Sequence, residues 1–117
     1  MIRIGNKSSE FSSYTCQPTT KEELQEIIEA RISKEGPNCD LNDIDTSLIT
    51  DMTWLFYKSD FNGDISNWDV SNVENMTVAF YRAKFNQDIS KWKMRKYCYT
   101  ENMFTECPIK DEFKPKI

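Results

Sequence analysis

The chain has 117 residues, 38% of them hydrophobic and 13% aromatic, with a net charge of −4 and no histidine. That length supports one domain with a modest core, and large rings fill a narrow interior with few residues. No apolar run approaches the roughly 18 residues of a membrane-spanning helix, three glycines are too few for a phosphate-cradling loop, and the missing histidine removes the usual base for a serine or cysteine nucleophile.

Residues 1–18 carry no clear period; Ile2 and Ile4 alternate with polar residues as in a short edge strand. The stretch Met1 to Ser9 lacks the apolar centre of a secretory signal, which reads as an intracellular protein. Residues 20–35 are predicted to be helical. Thr20 and Glu23 form a T-x-x-E capping box, Leu24, Ile27, Ile28 and Ile32 make one apolar face, and Gly36-Pro37 supplies the stop. An amphipathic helix here is expected to cap the repeats that follow.

From Asp40 to Phe113 the sequence repeats every 24 residues without insertions. Phe61-Asn62-Gly63-Asp64-Ile65-Ser66-Asn67-Trp68 returns as Phe85-Asn86-Gln87-Asp88-Ile89-Ser90-Lys91-Trp92. Apolar columns follow: Leu41, Ile65, Ile89; Ile44, Trp68, Trp92; Ile49, Val73, Tyr97; Leu55, Ala79, Met103; Phe56, Phe80, Phe104; and Phe61, Phe85, Ile109. The stretch Asp64–Val70 is β-prone and is predicted to form a parallel strand about 4.8 Å from its equivalents. Met76, Ala79, Phe80 and Ala83 suit a short helical turn. Asn38, Asn62 and Asn86 form an asparagine column suited to an amide ladder. The expected fold class is an α/β repeat solenoid, leucine-rich-repeat-like, with about three 24-residue coils, a short parallel sheet and an N-terminal capping helix. Residues 1–39 are the N-terminal segment and cap, and 40–117 the repeats.

The run Phe61 to Met76, followed by Phe80-Tyr81, resembles the repeat of the BspA-like leucine-rich-repeat class of bacterial surface proteins. With the preceding Thr20–Leu24 helix the resemblance extends over about 20–113. It implies a bacterial protein with no catalytic residues to carry over; some members of that class are surface adhesins. In the third repeat Lys93-Met94-Arg95-Lys96 replaces Asp69-Val70-Ser71-Asn72.

The four cysteines (Cys16, Cys39, Cys98, Cys107) have no zinc-type spacing and read as free thiols, with Cys107 in a small-residue packing column. Asp40, Asp64 and Asp88 form one acidic column, and Asp45 and Asp69 a second whose third member is Lys93. Acids one repeat apart could act as an acid–base pair or bind Ca²⁺, but the expected role of the first column is to accept backbone amides at a turn. The second column suggests a solvated face or a cationic partner, since like charges at strand spacing repel. In Lys91–Tyr97 the rings of Trp92 and Tyr97 are expected inside, with the bases at the solvated edge. Residues 40–75 hold eight acids and one base, residues 76–117 five acids and nine bases, so the middle is acidic and the end basic.

The expected function is a non-catalytic protein-binding module in the bacterial cytoplasm, without cofactor or metal. Its partner is a protein with a basic surface, such as a nucleic-acid-binding complex, met by Asp43, Asp45, Asp51, Asp60 and Asp69; neither nucleic acid nor membrane is expected to bind directly. Phage-encoded inhibitors, anti-CRISPR proteins among them, share this size and charge. The alternative is a surface or adhesion repeat protein.

Overall fold

The computed structural model describes residues 14–116; the edge strand expected around Ile2 and Ile4 lies outside them. Helix α1 spans Lys21–Glu35. Thr20 is its N-cap, its hydroxyl accepting the Glu23 amide at 3.1 Å. Glu23 reaches one residue further back than a standard capping box, accepting the amide (2.7 Å) and hydroxyl (2.9 Å) of Thr19. These bonds hold its carboxyl below the usual range. Gly36 ends the helix at φ 94°, where a side chain would be strained, and donates its amide to the Ile32 carbonyl at 2.8 Å. Leu24 and Ile28 are buried, and Ile27 and Ile32 pack against the same core. The polar side is tied down as well. Arg31 grips Asp43 with one nitrogen at 2.8 and 3.1 Å, and Lys21 donates to the Thr53 hydroxyl at 2.9 Å.

The expected α/β repeat solenoid with a short parallel sheet is overturned. Among the described residues there is one α-helix, one 3₁₀ turn at Asp111–Phe113 and three isolated parallel bridges, with no sheet. The chain packs into a globule of 41 × 33 × 25 Å with a radius of gyration of 13.8 Å.

The cause lies in the stretch expected to be a strand. Asp64 Oδ1 accepts the Ser66 amide at 2.9 Å, and the Trp68 amide then closes onto the Ile65 carbonyl at 3.1 Å. Asp69 and Ser71 (2.9 Å), then Val70 and Val73 (3.0 Å), repeat the same pair of bonds five residues on. Aspartate side chains compete in this way for amides that a sheet would use. Cross-connections on this side come largely from side chains. The indoles of Trp68 and Trp92 donate to the carbonyls of Leu41 (2.9 Å) and Ile65 (3.0 Å). Asn62 and Asn86 accept the amides of Asn86 (2.8 Å) and Lys110 (3.1 Å) through their side-chain oxygens, rather than building an amide-to-amide ladder.

The expected helical turn at 75–83 is replaced by consecutive β-turns, Ala79 to Met76, Tyr81 to Val78 and Ala83 to Phe80. Alternate amides instead leave the segment: those of Met76, Val78, Phe80 and Arg82 donate to the carbonyls of Tyr99, Glu101, Met103 and Thr105. A helix would consume these amides internally. The backbone is left-handed at Trp54, Lys58, Val78, Arg82, Asn102 and Glu106, with φ between 52° and 65°.

Residues 24 apart meet through this core. Phe56, Phe80 and Phe104 stack at 5.2 and 5.4 Å, Phe61 and Phe85 at 6.1 Å, and Trp68 and Trp92 at 6.4 Å. Each ring pair adds about 1 kcal/mol beyond the area it buries. Tyr97 departs from its column and is 81% exposed. In the second repeat Asp69 sets the turn that starts at Val70. Its equivalent Lys93 cannot accept an amide, and the turn closes one residue later, Cys98 to Arg95. Tyr97 then takes φ 67° and points outward, while Met94 and Cys98 pack against the core.

Candidate functional site

Six aspartates share one local geometry. In Asp40, Asp45, Asp51, Asp64, Asp69 and Asp88, Oδ1 accepts the amide two residues on, at 2.8 or 2.9 Å. The serine hydroxyls of Ser66 and Ser71 add bonds of 2.7 and 2.6 Å. Such bonds to the charged form, from Ser66 and Asn42 at Asp64 and from the Ser90 side chain and then its amide at Asp88, keep the carboxyls of Asp64 and Asp88 below the usual range.

A hollow of about 670 Å³ opens along this flank, lined by Asp64, Asp69 and Asp88 together with Lys91 and Lys93. A second hollow of about 480 Å³, lined by Tyr14, Asp40, Asn42 and Asp43, adjoins it, with Asn67 in both walls. The change from acidic to basic sequence therefore falls at one place on the surface. Lys91 and Lys93, read from the sequence as a solvated edge, are part of that wall. The five-residue beat Asp64-Ile65-Ser66-Asn67-Trp68, Asp69-Val70-Ser71-Asn72-Val73 is the sequence signal that identifies the flank.

The five aspartates expected to meet a partner are dispersed in their bonding. Asp43 is bound to Arg31 and to the Thr15 hydroxyl. Partial burial pulls its carboxyl upward, but these bonds outweigh burial and leave it below the ordinary value. Asp51 accepts the Thr53 amide and hydroxyl, with Lys21 at 3.7 Å. Asp60 pairs with Lys84 at 3.3 Å. Asp45 accepts Gln17 at 2.9 Å as well as Ser47. Asp69 uses only Oδ1, on Ser71, and its second oxygen has no partner among the described residues.

A different surface carries aromatic side chains. Trp54 is 51% exposed with Tyr57 4.5 Å away, Tyr57 stacks on Tyr81 at 5.5 Å, and Lys58 and Arg82 lie over the two tyrosine rings. All four cysteines are free thiols, and burial pushes each above its ordinary value. Among the described residues no three acidic or cysteine side chains converge as a metal site would require, and no helix is long and apolar enough to cross a membrane.

No curated protein and no solved structure matches the chain. A family model does, from within α1 to the end of the 3₁₀ turn. Over residues 23–113 the chain matches the family described as "Mycoplasma protein of unknown function, DUF285", and it belongs to that family.

Proposed function

We propose that this protein is a non-catalytic binding module whose aspartate flank receives a basic protein surface. The observation that supports this is the row Asp40, Asp64, Asp69 and Asp88 beside two hollows that share Asn67, each carboxylate fixed through one oxygen in a turn. Fixed carboxylates cost little ordering entropy on binding and steer a cationic partner from a distance. Asp45 belongs to the same row, while Asp43, Asp51 and Asp60, already set against Arg31, Lys21 and Lys84, serve mainly the fold. A cytoplasmic inhibitor that fills a basic channel would use this flank, and the partner's own cations would take the second oxygens.

The test uses a partner recovered at low salt from bacterial lysate and then purified. Titration against wild type and an Asp64→Lys, Asp69→Lys variant should show affinity falling at least about tenfold, and falling with salt in the wild type. Equal affinity for both proteins at low salt removes this reading.

The likeness of the Phe61–Met76 run to BspA-like surface repeats supports a second reading, in which the same flank is displayed outside the cell. Export of the full-length protein, followed by fractionation of its native cell, separates the two.

A further inference from the structure

Between Asp88 and Glu101 the chain carries four bases, Lys91, Lys93, Arg95 and Lys96, and no acid. All four are exposed, and among the described residues none forms an ion pair. Elsewhere Lys21, Arg31, Arg82, Lys84 and Lys114 each hold a carboxylate. Lys91 and Lys93 border the hollow of the aspartate flank, whereas Arg95 and Lys96 do not line it.

Two tyrosines accompany these charges. Tyr97 is 81% exposed and Tyr99 65% exposed, on either side of Cys98, which packs against the core. Of the two rings expected inside, Trp92 is buried and anchors the segment, while Tyr97 is turned out. The backbone that carries the tyrosines is held at several points. The Cys98 amide closes onto the Arg95 carbonyl at 3.1 Å, the Tyr99 amide donates to the Glu74 carbonyl at 3.0 Å, and the Tyr99 carbonyl accepts the Met76 amide at 2.7 Å. Among the described residues neither tyrosine stacks on another ring, unlike Tyr57 and Tyr81, which stack on each other. The Lys96 ammonium lies 5.3 Å from the centre of the Tyr97 ring, so a charge and a π face sit side by side.

A single nucleic-acid strand complements this combination, because its phosphates take cations while its unstacked bases lie on aromatic rings. A lipid surface would use the cations but offers the tyrosines no row of flat partners, and a duplex keeps its base faces inside its own stack. We propose that residues 91–99 bind single-stranded nucleic acid without sequence preference, Lys93, Arg95 and Lys96 meeting phosphates and Tyr97 and Tyr99 stacking on bases. The net charge of −4 keeps the contact weak and salt-dependent. It uses none of the aspartates of the flank, so either reading stands or falls alone.

Fluorescence anisotropy of labelled oligo-dT and oligo-U, each about 12 nucleotides long, titrated with the full chain tests this. Both should bind at low salt with a Kd on the order of 1–100 µM, and four phosphate contacts limit the log–log salt slope to about 2.8. The Tyr97→Ala, Tyr99→Ala variant should bind at least about tenfold more weakly with the salt slope unchanged, and Tyr97→Phe, Tyr99→Phe should bind as wild type does. The Arg95→Glu, Lys96→Glu variant should bind more weakly and flatten the slope. All four side chains are exposed, and melting curves confirm that each variant is folded. Inorganic polyphosphate and phosphatidylglycerol vesicles should bind more weakly than the oligonucleotides, with no dependence on the tyrosines. No binding to either oligonucleotide at low salt, alanine variants that bind as wild type does, or polyphosphate or vesicles bound as tightly as the oligonucleotides would each overturn the proposal.

Discussion

Gly63 and Val78 show how narrowly single residues fit. A Cβ on Gly63 would stand 1.8 Å from the carbonyl oxygen of Cys39 and 2.8 Å from a Phe61 ring carbon. The Cys39 obstacle is backbone, which does not yield as the end of a side chain would. Gly63→Ala should therefore cost about 3 kcal/mol and lower Tm by roughly 10 °C, measured by calorimetry. Val78 presents the opposite case. Its φ of 52° is a strained setting for a β-branched residue, and Asn102 occupies the equivalent place one repeat later. Val78→Asn should raise stability by about 1 kcal/mol in urea unfolding, with an unchanged m-value.

At the scale of elements, α1 was legible because its signals are local. The Thr20 cap, the apolar face and Gly36-Pro37 need no knowledge of the rest of the chain. The strand was not legible in the same way. Asp64 and Asp69 draw the amides of Ser66 and Ser71 into turns, and β-prone Ile65 and Val70 become turn residues facing the core. The acidic flank shares that origin: the side chains that break the strand are those that line the hollow. Tyr97 was misplaced because a one-residue shift follows from Lys93, whose inability to accept an amide shows only once the Asp69 turn is seen. The helix also carries a pH-dependent tie. The folded Asp43 carboxyl lies below its ordinary 3.8, so the Arg31–Asp43 contact stabilises the protein fully above about pH 4 and is lost as pH falls through the folded value. Asp43→Asn should cost about 2 kcal/mol at pH 7, and the two proteins should converge in stability in acid. Melting temperatures taken from pH 7 down to pH 2 measure both.

For the whole molecule, the 24-residue period determines which side chains meet in the core, while the backbone between them is a sequence of turns. The apolar columns were legible by simple addition along the chain. The outcome of that stacking was not, because the absence of a sheet depends on hydrogen bonds made by aspartate, asparagine and tryptophan side chains. Phe80 lies at the centre, stacked on Phe56 and Phe104 and 4.7 Å from Phe85. Phe80→Ala should cost about 4 kcal/mol, which denaturant unfolding will read, and should leave a protein near the limit of folding. Outside this core the surface is uneven in charge, and the aspartate row beside Lys91 and Lys93 is where a partner is expected to bind. The most direct measurement is the affinity of the purified partner for wild type and for the Asp64→Lys, Asp69→Lys variant across a salt series. The account predicts a loss of at least about tenfold at low salt that shrinks as salt screens the flank. Equal affinities at every salt concentration, with both proteins folded, would contradict it.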